Sequence, residues 1–516
     1  MSGRERLAYK WLVLIVVLPG MTVFTIDITV VNVALAKLGA VYSVSVDTVQ
    51  WAITAYALAT GIATPLAGYV EERFTLKRVW VVGLAVFTGA SVLCGIAPAF
   101  WVLVIGRLAQ GFAAGLMLPM LISLIFQVFP PQERGAALGF FAIPIVAGPA
   151  LGPTLGGYII TNWDWRIVFF INLPIGLLSV LLGALLLRPG TLNPGGRFDG
   201  WGFLFSSLGF GLTLYGLSQV GSHGWSSVEV RVLIGAGLAS LLTFIVYELF
   251  RRDPLLDVRL FGNPQFTNSN IVGWVSTVAL FGAEFMLPLY LQNLRGLSAI
   301  ETGLILMPQG LSIALAGPLA GRLVDRIGPR WIVMFGFVLM AVNTFQLSQI
   351  TMSTDFGTLR WLMVLRGLAL GCTMQPTTLT ALAAVPPELR TNATSLVTAM
   401  RSVWQSFGVA MLSTVVQTQT LTHTQVLSWE VRPDTSQGHF LQQIAALLQQ
   451  QSGVSQVGAN AMAAALMLSQ IGQQAAVLAF GDAYRISFAA AIVAFCLSVV
   501  LPGRGVRADP AAAMGH

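Results

Sequence analysis

"GYVEERFTLKR" (68–78) is a short charged turn set between two long apolar runs, and "GRLVDRIGPR" (321–330) repeats its layout about half the chain later. Two further pairs keep nearly the same interval. "RLAQG" (107–111) is echoed by "RGLALG" (366–371), and "PPQER" (130–134) by "PPELR" (386–390). Three echoes in register predict an internal duplication. Each copy sits at the same level and in the same orientation among the apolar runs, so the halves are parallel. Parallel halves of this kind are what a rocker around a midplane site requires.

The runs between the echoes define the medium. Only 9% of the 516 residues are charged, against roughly 25% in an average soluble protein. Hydrophobic residues make up 55% and the mean hydropathy is +0.77, more apolar surface than a soluble fold could cover. Segments of about 20 apolar residues recur, each long enough to cross a hydrocarbon core of about 30 Å. The reading is an all-α polytopic membrane protein with fourteen spans: 11–36, 49–70, 79–97, 101–123, 135–160, 166–187, 200–219, 231–250, 267–291, 299–321, 331–349, 358–383, 393–417 and 482–501. The first apolar run continues through Leu35, too long for a signal-peptide core, and is taken as the first span.

An even number of spans puts both termini on one side. With the termini cytoplasmic, eighteen Lys and Arg fall in inside segments and seven in outside ones. That is the positive-inside bias, so the net charge of +7 reflects topology and not a nucleic-acid partner. Three units are expected: a six-helix bundle (1–190), two inserted transmembrane helices with their linkers (191–260), and a second six-helix bundle (261–516). A Gln-rich stretch at about 418–481 is too polar to span and is read as an external helical hairpin of the last unit. Cys94, Cys372 and Cys496 lie in separate spans with no paired spacing, implying neither a disulfide nor a metal site. Four histidines and no nucleophile or phosphate-loop constellation make an enzyme the least favoured class.

Charges inside spans cost several kcal/mol and are functional candidates by default. Asp27, Arg107, Glu284, Arg366 and Arg401 qualify. Asp27 could exchange a proton, because burial disfavours its charged form and a nearby cation favours it; the bland alternative is a structural ion pair. Arg107, with Gln110 beside it and Gly111 and Gly115 on its face, could hold an acid ionised or simply pair with Asp27. Glu284 is either a proton or cation-substrate carboxylate or a partner of Arg366 or Arg401. By helical period, Thr22, Thr25, Thr29 and Asn32 share a stripe that Asp27 does not, so the two sets serve different interfaces. Asn32, Gln110, Arg366 and Arg401 are candidates for lining a substrate cavity.

In the fifth span, "GPALGPTLGG" (148–157) places Gly148, Gly152 and Gly156 on one narrow helical face beside Pro149, Pro153 and Gly157. Such a face lets a neighbouring backbone approach closely, and the prolines weaken the helix. It reads either as plain packing or as a hinge and seal between halves. The two charged turns, with Gly68, Glu72, Arg73 and Lys77 in one and Gly321, Asp325, Arg326 and Arg330 in the other, read either as topological anchors or as a latch between helix ends.

These motifs carry a family resemblance. The turn "GRLVDRIGPR" matches throughout the loop motif G-x-L-x-D-R-x-G-x-R of the major facilitator superfamily, while the first copy departs, with Glu72 for the acid and Thr75 for the second glycine. "GPALGPTLGG" resembles the fifth-helix motif of that superfamily's proton-coupled antiporters. "DITVVNVAL" (27–35), "WDWRIVFFINLPIG" (163–176) and "YELFRRDPLLDVRLFGNPQF" (247–266) are similar to stretches of its fourteen-span drug:proton antiporters, the EmrB/QacA type. The resemblance runs from about residue 10 to 500. It implies the major facilitator fold, with Arg107 as the family's proton-linked fourth-helix arginine. It also implies export of amphipathic compounds by alternating access, driven by the proton gradient without a cofactor or metal. Membrane lipids, a periplasmic membrane-fusion adaptor and an outer-membrane channel would be partners, in the bacterial cytoplasmic membrane. A dedicated exporter of one metabolite, fatty acid or antibiotic is the nearest alternative; a non-transporting receptor or scaffold is the alternative from another class.

Overall fold

A computed structural model describes residues 3–130, 133–188, 198–251, 253–429, 431, 435–452 and 455–503. Apolar runs with their backbone polar groups satisfied internally form helices. Every predicted span falls on one: α1 Gly3–Tyr42, α2 Trp51–Ala63, α3 Leu76–Gly95, α4 Phe100–Val128, α5 Arg134–Asn162, α6 Asn172–Leu186, α7 Gly200–His223, α8 Val228–Phe250, α9 Pro264–Leu289, α10 Ala299–Ile327, α11 Pro329–Leu347, α12 Phe356–Ala383, α13 Arg390–Trp429, α14 Ser436–Ser452 and α15 Gln456–Ser498. Among the described residues there is no strand, and ten helices are long and apolar enough to cross a membrane.

Local chemistry sets the breaks. Pro65 turns α2 through a 3₁₀ step, Thr64–Leu66, into its continuation Ala67–Arg73. α9 loosens past Pro288 into a π turn, Tyr290–Leu294. Side chains close helix N-termini: Asn263 accepts from Gln265 N–H (2.9 Å), and Asp355 from Gly357 N–H (2.7 Å). The two charged turns are built differently. Gly328 takes φ +90° between α10 and Pro329 at the start of α11, a conformation that favours glycine. In the first copy Thr75 is extended (φ −61°) and caps α3 by accepting from Arg78 N–H (3.4 Å). The departure from the motif therefore has a physical reason: that turn needs a cap, not a positive φ.

α1–α6 and α9–α13 with α15 form two bundles. Their longest mutual interface is α5 against α10. The largest apolar cluster lies at the end carrying the charged turns and crosses between them, joining Phe126, Phe129 and Leu138 to Leu379, Leu382 and Leu396. At the opposite end each bundle keeps its own core, Leu38, Leu103 and Phe169 in one, Leu287, Leu362 and Tyr484 in the other. Exposed residues such as Ile15, Val82, Leu185, Leu242, Leu315 and Phe335 give the helices an apolar exterior suited to lipid.

α7 and α8 pair closely, Gly209 and Gly216 of α7 lying against Leu241 and Ile234 of α8. α7 also lies against both bundles. Its Tyr215 stacks on Trp51 of α2 (centroids 5.5 Å), and across the α7–α8 turn the Trp225 indole donates to Thr414 Oγ1 of α13 (2.9 Å). At the other end of the pair Arg251 meets Asp199 at 3.1 Å. The Gln-rich stretch is helical: α13 runs on to Trp429, α14 packs on α15, and α15 passes from that stretch into the last predicted span without a break.

Candidate functional site

Five helices of the first bundle converge on Asp27. Its carboxylate is buried and ion-paired with Arg107 of α4. It also accepts from Asn172 Nδ2 of α6 (2.7 Å) and Gln110 Nε2 (3.2 Å). Arg107 is fixed in turn: Nε donates to Ala52 O of α2 (2.8 Å), Nη1 to Gln110 Oε1 (2.8 Å), and the guanidinium lies 4.5 Å from the Tyr56 ring. Ser91 of α3 closes the group, accepting from Gln110 Nε2 (2.7 Å) and Asn172 Nδ2 (3.3 Å) while donating to Phe87 O (3.1 Å). Every one of these side chains is buried. A buried ion pair is tolerable only when its remaining donors and acceptors are met, and here both Asp27 oxygens and Arg107 Nε and Nη1 are bonded. The Tyr56 hydroxyl is buried beside it without a hydrogen bond.

Close backbone approach makes the convergence possible. A Cβ at Gly111 would overlap Tyr56 O, and one at Gly115 would lie 2.9 Å from the Ala63 Cβ, so α4 rests directly on α2. The predicted separation of interfaces on α1 is present. Asp27 faces α4, whereas Thr25 and Thr29 donate to Pro144 O (2.7 Å) and Gly148 O (2.8 Å) of α5. The glycine stripe faces the same way: a Cβ at Gly152 would overlap Thr29 Oγ1, one at Gly148 would overlap Thr25 O, and Gly156 lies near Val30. The stripe thus closes on α1 of its own bundle, while α5 meets α10 of the other. Gly157 is partly exposed, and the side chain of Pro153 lies outside the described residues.

The remaining predicted positions are dispersed. Asn32 is exposed on α1. Gln110, read as a cavity residue, belongs to the Asp27–Arg107 group. Arg366 is buried and donates to Leu280 O of α9 (2.8 Å). Arg401 donates to Thr378 Oγ1 (2.7 Å) and lines a small pocket. Glu284 lies on α9 with its side chain outside the described residues, as are those of Glu72 and Asp325. Of the charged turns, Arg73 and Arg326 are exposed, Lys77 and Gly321 flank the turns, and Arg330 Nε donates to Leu501 O (2.7 Å). Gly68 meets Asn392 of α13, and Ser123 and Thr391 share a hydrogen bond (2.9 Å) across the bundles, with Glu71 accepting from Ser123 (3.0 Å) and Gln127 (2.8 Å). Ser91 and Asn172 escaped the sequence reading, although Asn172 lies inside the quoted stretch 163–176.

The helices form two bundles with a buried ion pair inside the first, and residues 17–409 match the Major Facilitator Superfamily model. The chain belongs to that superfamily, is a multi-pass membrane protein and a transporter, and stands with the EmrB-like drug-efflux members. It is 30% identical to the uncharacterized MFS-type transporter YhcA of Bacillus subtilis over 98% of this chain and 96% of that one. It is 32% identical to a multidrug resistance protein B homolog of Mycobacterium tuberculosis (78% and 75% covered) and 30% to the multidrug export protein EmrB of Escherichia coli (79% and 80%). The fold is that of the proton:xylose symporter XylE, with a TM-score of 0.58 at 16% identity over 97% of this chain and 98% of that one.

Proposed function

We propose that the protein is a proton-coupled efflux antiporter, exporting amphipathic compounds by alternating access across a bacterial cytoplasmic membrane. In this reading it has fourteen spans and both termini inside. The observation that carries it is the Asp27–Arg107 pair at the convergence of five helices. Protonating Asp27 removes one of the two charges while leaving Arg107 its bonds to Ala52 O and Gln110, so the proton changes the strength of a contact between α1 and α4 without dismantling the site. Helices whose mutual attraction depends on a proton can couple that proton to the rearrangement of their bundle. Packing at the basic-loop end, with separate cores at the other, corresponds to a state closed toward the cytoplasm; the alternate state must break the Phe126–Leu396 cluster. The Gln-rich α14–α15 hairpin is external here and offers an adaptor a docking face.

The test is gradient-driven uptake of fluorescent amphiphiles, cationic and anionic, into inverted vesicles, with wild type against Asp27→Asn. Uptake that needs the gradient in wild type and loses that dependence in the variant, with substrate exchange retained, is the expected result. Gradient-driven uptake unchanged by the substitution removes Asp27 from the coupling path, and wild type that moves no amphiphile overturns the efflux reading.

A further inference from the structure

Arg401 sits in surroundings unlike those of the buried Arg107 and Arg366. Its pocket is lined by Ser269, Asn270 and Trp274 of α9, Thr377 and Thr378 of α12, and Val397 of its own helix, among others. No carboxylate lines it among the described residues, and the guanidinium, partly exposed, has Thr378 Oγ1 as its hydrogen-bond partner. The Ser269 hydroxyl and the Trp274 indole N–H are buried with no partner. Asn270 Nδ2 is committed to Phe266 O (2.8 Å). A cation and two orphaned donors around one pocket form an acceptor-seeking set, and unmet buried donors cost about 1–3 kcal/mol each.

An apolar track leads away from the pocket. The Trp274 ring stacks on Trp404 (5.8 Å, 20° between planes), one helical turn beyond Arg401. Trp404 meets Phe407 edge-on (5.7 Å), and Phe407 meets Trp225 of the inserted pair (6.3 Å). The track therefore runs along α13 from the pocket towards the α7–α8 turn.

We infer that the Arg401 pocket binds the anionic head of an amphipathic organic anion, a carboxylate, sulfonate or phosphate, whose apolar body lies on the Trp274–Trp404–Phe407 track. The inference rests on the efflux reading and names its substrate class. Arginine suits the role because its fork of donors matches an oxyanion and it remains charged when desolvated.

Two probes with one aryl-alkyl body and heads of opposite charge isolate the claim: pyrenebutyrate and pyrenebutylammonium, titrated against tryptophan fluorescence of the full-length protein in nanodiscs, with empty discs subtracted. Wild type is expected to bind the carboxylate at least tenfold more tightly. Arg401→Gln should abolish that preference at an unchanged melting temperature, and Arg401→Lys should keep most of it. Equal affinity for both ions in wild type overturns the inference without recourse to any variant, as does a preference that survives Arg401→Gln. Carboxylate binding that weakens in discs containing phosphatidylglycerol by more than the probe's partition into empty discs of the same composition falls assigns the pocket to a lipid headgroup and overturns the substrate assignment. Vesicle flux separates the two readings: equal binding with gradient-driven export intact defeats this inference alone, while absence of any gradient-driven export defeats the efflux reading.

Discussion

The two bundles resemble each other in their charged turns, yet they treat the arginines inside their helices differently. In the first, Arg107 has a carboxylate, a carbonyl, an amide and an aromatic face around it, and its carboxylate and amide neighbours bond onward to Asn172 and Ser91. In the second, the corresponding Arg366 reaches the Leu280 carbonyl of α9, and Arg401 faces a pocket with donors to spare. Glu284 follows Asp27 by the interval that separates Arg366 from Arg107, to within two residues, so an acid stands at a comparable place on the first helix of each bundle. The contrast between the two arginine sites suits a division of labour. A closed ionic group responds to a proton, which needs no room, whereas an incompletely satisfied group responds to a ligand that brings its own acceptors.

The largest effect expected from this contrast is on stability. Arg107→Ala leaves the Asp27 carboxylate buried without its cation, a change of about 3–5 kcal/mol for a broken buried pair. Thermal unfolding of the detergent-purified protein should show a large fall in midpoint, partly recovered when Asp27→Asn is added. Arg401→Gln, whose side chain opens on a pocket, should leave the midpoint nearly unmoved. Equal losses at Arg107 and Arg401 would erase the distinction between the sites.

Packing comes next. Gly152→Val places a branched side chain where Thr29 Oγ1 already stands, and overpacking of this kind costs about 1–3 kcal/mol. Gly89 on α3 has nothing within 4 Å of its would-be Cβ, so Gly89→Ala is the matched control and should hold or raise the midpoint. A melt in which both behave alike would show that the glycine face of α5 does not join it to α1.

How much of this could be read beforehand depends on what kind of signal each feature leaves. Asp27 and Arg107 announce themselves, because a charge in an apolar run has few explanations. The helix ends at the charged turns were legible because a cluster of charges interrupts the apolar runs there in both copies. Ser91 and Asn172 leave no such mark: a neutral polar side chain in a span has many ordinary explanations, and only the convergence of α1, α3, α4 and α6 gives them a role. Gln110 was assigned to a cavity for the same reason, since sequence distance from Arg107 does not say which way a side chain turns. The lie of α7 against α2 and α13 is a tertiary fact without local code. The continuity of α15 was hidden by Gln470, Gln473 and Gln474, which are polar enough to suggest a boundary yet compatible with an uninterrupted helix when exposed.

The smallest effect separates two contributions at one contact. Thr29 both fills the space above Gly152 and donates to Gly148 O at 2.8 Å. Thr29→Val keeps the volume and branching and removes the hydroxyl. Its Oγ1 also lies 3.2 Å from Thr25 O and 3.0 Å from Ile26 O within its own helix, so the threonine has a local alternative to the bond across the helices. Interhelical hydrogen bonds in membranes average about 0.6 kcal/mol for this reason, and the expected loss is of that size, well below that of Gly152→Val in the same melt. A loss matching Gly152→Val would mean that the hydroxyl, not the close fit of α1 on the glycine face, joins these helices, and the stripe at 148–156 would then serve to bring Thr25 and Thr29 within bonding reach of α5.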